Sequence, residues 1–273
     1  MHREDGHYKV TYKSWFQRLI ESFFGVIIGF ILLLIATGVL WWNEGRAVER
    51  IKALEEGQSS VITVSTDKIN DANNGNLVHL SGIPVSTEVL SDPDFGVDIN
   101  ALRLKRVVEM FQWQEYSDTD TETYDDGSSE TITRYTYDPV WSNTLINSNI
   151  FDDRSYQNPD AFRVSAQSYN VADAKVGVFN LSQNMINELD HWLGITIPET
   201  NYPAYEGLRL VQDGATNIAY LGYGSLQKPE IGDHRIYFEA VEFENISVVA
   251  QQNGAQLSPF ETANGSLELI EYG

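Results

Sequence analysis

The feature that most constrains this chain is the segment 23–42, which reads FFGVIIGFILLLIATGVLWW and carries no charged residue. Twenty residues of α-helix rise about 30 Å, which matches the hydrocarbon core of a bilayer. Thirteen of these residues are Phe, Val, Ile or Leu, and together they favour membrane insertion by about 4–8 kcal/mol. Trp41 and Trp42 stand where interfacial aromatic side chains anchor a span. The sequence therefore predicts a transmembrane helix over residues 23–42.

The sequence around this segment predicts an uncleaved anchor rather than a signal peptide. The apolar stretch is longer than a signal peptide requires, and no small-x-small cleavage site follows it. Instead a polar helical pattern continues over residues 44–56, with Gly57 as the expected stop. Before the span, Trp15, Phe16, Leu19 and Ile20 recur at helical spacing, which predicts an amphipathic turn at the membrane surface.

The charge distribution predicts the topology and excludes one class of partner. The net charge is −21, and residues 43–273 hold 14 basic and 36 acidic groups. Such an acidic domain would be repelled by phosphate backbones, so we expect no nucleic-acid binding. Four basic residues precede the span and three follow closely, which favours a cytoplasmic or interfacial segment at 1–22 and an exoplasmic domain at 43–273. Because the chain has no cysteine, disulfides and thiolate metal sites are excluded.

The domain after the span is predicted to be α+β, with mainly antiparallel strands and a few helices. Alternating or β-branched runs predict strands, and an Asp-Pro turn is expected at residues 91–96. The predicted strands are residues 61–64, 77–82, 102–116, 131–137, 218–223, 236–243, 246–250 and 267–270. Residues 236–243 and 246–250 are separated only by Glu244-Asn245.

Two of these strands are expected to form a long hairpin. Residues 102–116 and 131–137 both alternate, and Asp126-Gly127 between them supplies residues that tolerate a positive φ. Arg103, Lys105 and Arg106 form the one dense basic cluster of the domain. A lipid or partner phosphate could bind there, but pairing with nearby Asp and Glu side chains is the favoured interpretation.

A helix is predicted over residues 183–193, with Ser182 as its N-cap. Met185, Ile186, Leu189, Trp192 and Leu193 would then share one apolar face that packs on the core. In the span, Gly25 and Gly29 form a small-xxx-small pair that permits close helix packing, so a homo-oligomer is one expectation.

No pattern in the sequence indicates a catalytic, cofactor-binding or metal site. The five histidines, His2, His7, His79, His191 and His234, lie in no HExxH or GxSxG pattern and are expected to be surface or hydrogen-bonding residues. The acidic pairs Asp125-Asp126 and Asp152-Asp153 lack the alternate carboxylates of an EF-hand loop. We therefore expect no cofactor and a protein that is not an enzyme.

A series of short motifs runs in order along nearly the whole chain. The motifs are SWFQRL at 14–19, WNEGRAV at 42–48, ALEEG at 53–57, LVHLSG at 77–82, LSDP at 90–93, VEMFQW at 108–113, RYTY at 134–137 with Trp141, INS at 146–148, NP at 158–159, GDHR at 232–235 and PF at 259–260. Together they resemble the transmembrane protein 43 (LUMA) family, and the motif NEGRAV at 43–48 is the most specific of them.

The resemblance implies one N-terminal span, a large exoplasmic domain and three further spans near the C-terminus. In animals the family lies in the inner nuclear membrane and endoplasmic reticulum, associates with emerin and lamins, and carries no established enzymatic activity. This sequence departs from that pattern because it ends at Gly273 before any C-terminal span. We therefore expect either a C-terminally truncated fragment, which is the favoured interpretation, or a member with a single span. The absence of cysteine and the acidity suit a bacterial member, whose domain would be periplasmic and anchored in the inner membrane.

Three functions are open at this point. The first is a non-enzymatic scaffold that organises membrane proteins through the exoplasmic domain. The alternative is a lipid- or ligand-sensing domain, since aromatic residues make up 12% of the chain and could line an apolar groove. The third is an unrecognised hydrolase, which would need a cavity with converging ionisable side chains. The expected partners are the lipid bilayer and other membrane proteins.

Overall fold

A computed structural model describes residues 7–199, 205–262 and 265–273. Its secondary structure confirms an α+β chain with one long apolar helix followed by mostly antiparallel strands. In chain order the elements are β1 His7–Lys13, α1 Trp15–Ser60, β2 Ile62–Thr63, β3 Leu77–Gly82, β4 Leu90–Asp92, β5 Val97–Ile99, β6 Arg103–Thr123, β7 Ser129–Ser142, β8 Gln167–Asn170, β9 Lys175–Val176, β10 Phe179–Asn180, α2 Gln183–Glu188, β11 Trp192–Ile195, β12 Leu208–Asp213, β13 Thr216–Leu221, β14 His234–Val241, β15 Ile246–Asn253, β16 Gln256–Ser258, β17 Phe260–Thr262, β18 Gly265–Leu267 and β19 Leu269–Tyr272.

The chain divides into two compact units, each built from three segments. The first unit contains Met1–Glu44, Glu109–Arg163 and Gln227–Asp233. The second unit contains Gly45–Val108, Val164–Leu226 and His234–Gly273. The predicted boundaries at residues 22 and 42 come from hydropathy and mark where the chain enters and leaves the membrane. They remain a prediction and do not correspond to the boundaries of these two units.

The first unit is dominated by the predicted hairpin, which is longer than the sequence indicated. Strands β6 and β7 pair from Met110↔Ser142 to Thr123↔Ser129, and β1 pairs along the other edge of β7. At the turn, Tyr124 N–H donates to the Ser128 carbonyl at 2.9 Å, and Gly127 has a φ of 80°. Gly127 has a positive φ but Asp126 does not, so the expectation that both residues of the Asp-Gly pair adopt this conformation is wrong.

The second unit contains two sheets. In one, the strand order is β12-β13-β14-β6, with β11 also on β14 and β8 also on β6. In the other the order is β2-β3-β15-β16-β10-β9, with β19 on β15. Along β15 buried and half-buried side chains alternate, which is the period-2 pattern of a strand with one face on the core. The pairs β2–β3 and β10–β16 are parallel, and the other pairs given a register are antiparallel.

The prediction that Gly57 stops the helix is wrong. α1 continues to Ser60, and Gly57 lies inside its last turns. A Cβ at Gly57 would overlap the side chain of Leu267 and would lie 3.1 Å from Leu77 Cδ2. Gly57 therefore lies where the end of α1 packs closely on Leu267 and Leu77, and it does not form a left-handed cap.

Two further predictions in the second unit are corrected. Helix α2 ends at Glu188, so Trp192 and Leu193 do not extend its apolar face but lie in β11, paired with Val241 and Ala240. The single strand predicted at 267–270 is divided between β18 and β19. In each case tertiary pairing overrides the local pattern.

Candidate functional site at the membrane helix and the long hairpin

The apolar surface of α1 is not covered by the rest of the described chain. Among the described residues, one helix is long and apolar enough to cross a membrane, over Trp15–Glu49, and none of its most apolar stretch is buried. The predicted span at 23–42 lies within it. A helix that is apolar on all sides requires lipid or other helices around it.

The start of α1 is fixed by a capping box that the sequence analysis missed. Gln17 N–H donates to Ser14 Oγ at 3.4 Å, and Ser14 N–H donates to Gln17 Oε1 at 3.1 Å. Ser followed three residues later by Gln, just before an apolar run, is the sequence pattern for such a cap. The cap defines the first turn, which carries Trp15 and Arg18.

The Gly25–Gly29 face of α1 is open. No described atom lies within 4 Å of a Cβ built at either glycine. A lipid chain or a second helix could therefore approach the backbone closely there. Self-association through this face remains a prediction.

Strand β1 is one of several strands that the sequence did not predict. Its seven residues, HYKVTYK, pair antiparallel with β7 from His7↔Tyr135 to Lys13↔Ser129. Tyr8, Val10 and Tyr12 alternate with polar residues, which is the pattern that could have revealed it. Residues 1–6, including His2, lie outside the described part of the chain.

The hairpin turn contacts the first turn of α1. Arg18 Nη1 donates to the Gly127 carbonyl at 2.7 Å, and a Cβ at Gly127 would overlap the Trp15 ring. An open cavity of about 590 Å³ lies here. Its lining comprises Lys13, Trp15, Arg18, Leu19, Glu21, Ser22, Thr121, Gly127, Ser129 and Thr131. Most of these side chains are polar or charged, so the cavity is not the apolar groove that a lipid- or ligand-sensing role requires.

Glu130 joins β1 to the hairpin turn through two tyrosines. Tyr12 Oη donates to Glu130 Oε1 at 2.8 Å, and Tyr124 Oη donates to Glu130 Oε2 at 2.5 Å. These hydrogen bonds, that of Tyr124 first, lower the pKa of Glu130. The same carboxylate raises the pKa of Tyr124 to about 12 and also raises the pKa of Tyr12. Tyr12 and Tyr124 are exposed and Glu130 is half-buried, so the arrangement is a surface contact rather than an acid–base site.

At the base of the hairpin a glutamate is surrounded by donors. Glu115 Oε2 accepts from Tyr137 Oη at 2.7 Å and from the Asp152 N–H at 2.6 Å. Tyr137 Oη in turn accepts from the Asp153 N–H at 2.8 Å, and its ring stacks on Tyr156 at 4.0 Å. Burial, and then the hydrogen bond to Glu115, raise the pKa of Tyr137. The acidic pair Asp152-Asp153 therefore contributes backbone donors here.

At the base of the hairpin, the Asn158 side chain forms hydrogen bonds with strand β6 of the kind that a neighbouring strand would form. Its Oδ1 accepts from the Trp113 N–H at 2.7 Å, and its Nδ2 donates to the Trp113 carbonyl at 2.9 Å. The side chain thus satisfies both backbone groups of Trp113 at a position where no neighbouring strand does so through its backbone.

In the second unit a buried polar cluster surrounds Arg106. Its Nε and Nη2 donate to both Asp92 oxygens at 2.8 and 2.7 Å, and Nη2 also donates to Asp94 at 2.9 Å. Tyr169 Oη donates to Asp92 at 3.1 Å, and the guanidinium lies 4.8 Å from the Phe95 ring. Burial acts to lower the pKa of Arg106, but the hydrogen bonds and charges of Asp92 and Asp94 raise it. The cluster is internally compensated and has a structural role.

The other two members of the predicted basic cluster flank Trp192. Lys105 Nζ lies 2.6 Å from Glu239 Oε2 and 4.1 Å from the Trp192 ring centroid. Arg103 lies 4.8 Å from the same ring and donates to the carbonyls of Asn187 and Leu189 at 2.7 and 2.8 Å. The expectation that acidic partners pair with the cluster is confirmed for Lys105 and Arg106, while Arg103 binds carbonyl groups instead.

The described histidines lie in different elements. His79 Nε2 lies 2.9 Å from Ser247 Oγ in the β3–β15 pair, and His191 Nδ1 lies 2.9 Å from Glu244 Oε2. His234, expected to be a surface or hydrogen-bonding residue, is not on the surface but is buried at the start of β14. Within the described ranges no three His, Asp or Glu side chains are grouped so as to hold a metal ion.

Comparison with known proteins identifies relatives of this chain by sequence. The family model for transmembrane protein 43 matches residues 110–273. Human transmembrane protein 43 is 31% identical over 98% of this chain and 69% of its own length, and the mouse protein is 30% identical over the same shares. The transmembrane protein 43 homolog of Drosophila melanogaster is 29% identical over 93% of this chain and 67% of its own length. No solved structure matches.

The resemblance drawn from the short motifs is thereby confirmed. The family match covers more than half of the chain, and the apolar α1 precedes it. The chain is a membrane protein that belongs to the transmembrane protein 43 family.

Proposed function

We propose that this protein is a non-enzymatic, membrane-anchored scaffold that organises membrane protein complexes through an exoplasmic domain. In this proposal α1 crosses the bilayer, residues 1–22 lie on the cytoplasmic side, and residues 43–273 lie on the exoplasmic side, so insertion of α1 requires β1 to separate from β7. The observation that carries it is the uncovered apolar surface of α1, whose most apolar stretch has no buried residue. Lipid and other membrane helices are the partners that such a surface binds.

The chemistry of the described residues supports a binding role. Tyr137 and Tyr124, whose pKa is raised, each donate to a neighbouring carboxylate, so their hydroxyl groups are engaged in structural contacts. The Arg106 charge is met by Asp92 and Asp94. These groups do not converge on a common cavity in the way that an acid–base or nucleophilic site requires.

The topology is tested by single-cysteine labelling, for which a chain without cysteine is well suited. Tyr8 and Tyr223 are 67% and 93% exposed, so Tyr8→Cys and Tyr223→Cys form a matched pair. In sealed cells, we expect a membrane-impermeant maleimide to label Tyr223→Cys, and to label Tyr8→Cys only after permeabilisation. Equal labelling of both variants in sealed cells would show that the topology is wrong.

The scaffold role is tested by photo-crosslinking in native membranes. A photoreactive residue in place of Ile31, which is half exposed on the apolar stretch, should give discrete adducts with other membrane proteins, and one in place of Tyr223 should give exoplasmic adducts. The matched control carries an unrelated spanning sequence at 23–42, which should remove the first set and keep the second. A chain that forms no protein adduct from either position would contradict a scaffold role.

A further inference from the structure

Strand β12 is an open edge of its sheet. The sheet order places β12 at one end, with β13 on one side and, among the described residues, no strand on the other. The backbone of Leu208 faces the open side, because its N–H donates to the Tyr205 carbonyl at 3.2 Å. Since the backbone groups of successive residues alternate between the two sides of an antiparallel strand, those of Leu210 and Gln212 face the open side as well.

The neighbouring strand agrees with this assignment. Gln212 lies opposite Asn217 of β13, and the Asn217 carbonyl accepts from the Ile197 N–H at 3.2 Å, so the Asn217 backbone faces away from β12. Within residues 7–199, 205–262 and 265–273, the outward N–H and C=O groups of Leu210 and Gln212 have no backbone partner. Such a row of unpaired groups is a template for another strand.

The side chains of this edge carry one charge of each sign. Arg209 and Asp213 are both exposed, and their spacing of four residues places them on the same face of β12. The Arg209 guanidinium donates to the carbonyls of Gly222 and Gly224. In the part of the chain that the structure describes, neither Arg209 nor Asp213 forms an ion pair with an oppositely charged side chain. An edge of a single sign would repel a copy of itself, whereas this edge does not.

The arrangement of charges and backbone groups is self-complementary. When β12 pairs antiparallel with β12 of a second copy about Val211, Arg209 of each copy faces Asp213 of the other. Leu210 then faces Gln212, and their outward N–H and C=O groups form the hydrogen bonds of the ladder. Val211 faces its own counterpart on the twofold axis, as an isologous contact requires. An axis through Leu210 would keep the hydrogen bonds but would place Arg209 opposite Val211, without its ion pair.

We propose that the β12 edge at residues 209–213 is a contact between two copies of this chain, formed by antiparallel pairing about Val211. The contact goes beyond the scaffold function and does not depend on the direction in which α1 crosses the bilayer, because two copies inserted the same way hold β12 in the same compartment. A ladder this short buries far less than the roughly 1,600 Å² of a stable soluble complex. Confinement to one bilayer raises the effective concentration of the copies, so we expect the pairing in membranes.

The test uses the full chain in membranes, with Val211→Cys as its only cysteine. Opposed residues of a non-hydrogen-bonded pair lie about 4.5 Å apart at Cα, which permits a disulfide between the two copies. Gln212→Cys is the matched control, because Gln212 faces Leu210 and lies beyond the limit of about 7 Å from its own counterpart. Under mild oxidation, Val211→Cys should form the covalent dimer on the order of tenfold faster than Gln212→Cys. Equal rates at the two positions, or no dimer at Val211→Cys, would overturn the contact.

Charge reversal tests the register. Arg209→Glu and Asp213→Arg, each combined with Val211→Cys, place like charges opposite one another in their own dimers. Each should form the disulfide on the order of tenfold more slowly, because two exposed ion pairs become two repulsions. Coexpressed with tags of different size, the two variants restore both ion pairs, so the mixed dimer should form about as fast as the parent. Asp213→Arg keeps the Arg209 contacts with Gly222 and Gly224, so its loss of pairing does not reflect damage there. A mixed dimer that forms no faster than the like dimers would overturn the register about Val211.

Discussion

Arg106 and Asp92 form a bidentate ion pair that is shielded from solvent. Arg106 Nε and Nη2 donate to the two carboxylate oxygens at 2.8 and 2.7 Å, and the two side chains are 2% and 0% exposed. Two parallel hydrogen bonds between planar groups give such a pair its geometric specificity. Breaking it leaves an uncompensated charge in the interior of the second unit.

Loss of one partner of this pair should be strongly destabilising. Arg106→Met leaves the Asp92 carboxylate buried without its counter-charge, so we expect the free energy of unfolding to fall by about 3–5 kcal/mol. Adding Asp92→Asn removes that charge and should recover part of the loss, with a coupling of more than about 1 kcal/mol. Urea unfolding of the detergent-solubilised chain, followed by tryptophan fluorescence, measures both values.

The matched control is the exposed pair Arg134–Asp120, whose side chains are 54% and 64% exposed at a distance of 2.5 Å. Arg134→Met should change the free energy of unfolding by no more than about 1 kcal/mol. Additive effects of Arg106→Met and Asp92→Asn, or equal losses at Arg106 and Arg134, would argue against a buried, coupled pair.

Two glycines of α1 should respond to alanine in opposite directions. At Gly57 a Cβ would overlap Leu267 and approach Leu77 at 3.1 Å, so Gly57→Ala should destabilise the chain by about 1–3 kcal/mol. At Gly45 nothing lies within 4 Å, so Gly45→Ala should stabilise the helix by up to about 1 kcal/mol. Urea unfolding of the two variants checks the signs, and Leu267→Ala combined with Gly57→Ala should cost less than the sum of the single changes. A stabilising Gly57→Ala would show that Gly57 is not a packing requirement.

The sequence predicts an element well where the alternating or apolar pattern of that element's own residues determines its structure. β3 was predicted at residues 77–82 and observed at the same residues, because its alternation reports one buried face. The hairpin was also predicted, but its strands extend to Thr123 and begin at Ser129. The Asp and Thr residues of the tip have low hydrophobicity, so only cross-strand contacts such as Thr121–Thr131 at 3.1 Å mark them as strand.

The sequence failed where partners are distant in the chain. Trp192 and Leu193 fit the helical period of Met185 and Leu189, yet pairing with β14 draws them into β11. The basic cluster was expected to be paired, but nothing local identifies Asp92, fourteen residues before Arg106, as a buried partner. The candidate site was missed for a similar reason, because β1 is stabilised as a strand by pairing with β7, which lies over a hundred residues away in the chain.

The contact between β1 and Glu130 should depend on pH in detergent. The pKa of Glu130 is lowered below its ordinary 4.5 by hydrogen bonds from Tyr124 and Tyr12, so its ionised form stabilises the folded state. That stabilisation is fully present above the unfolded pKa and is lost as the pH falls through the lower, folded pKa. Hydrogen exchange of the β1 amides, corrected for intrinsic rates, should therefore show constant protection above about pH 5 and less protection at lower pH.

Glu130→Gln is the control for that pH dependence. It removes the titrating group and keeps a similar shape, so protection of the β1 amides should be lower and should no longer change across this acidic range. An unchanged pH profile in Glu130→Gln would mean that another carboxylate controls the contact. Asp152, 3.8 Å from Lys9, is then the residue to replace.

Asn158 should be a strong determinant of stability at the hairpin base. Asn158→Ala leaves the Trp113 N–H and carbonyl without the side-chain partners at 2.7 and 2.9 Å, so a loss of about 1–3 kcal/mol is expected. Asn158→Asp keeps the acceptor for the N–H but replaces the donor with a second oxygen that faces the carbonyls of Trp113 and Ile146. It should therefore be at least as destabilising as Asn158→Ala at neutral pH and should recover as the carboxylate is protonated. Urea unfolding at pH 7 and pH 4 separates the two variants, and the exposed Asn149→Ala is the matched control. Equal, pH-independent effects of Asn158→Ala and Asn158→Asp would contradict the paired hydrogen bonds to Trp113.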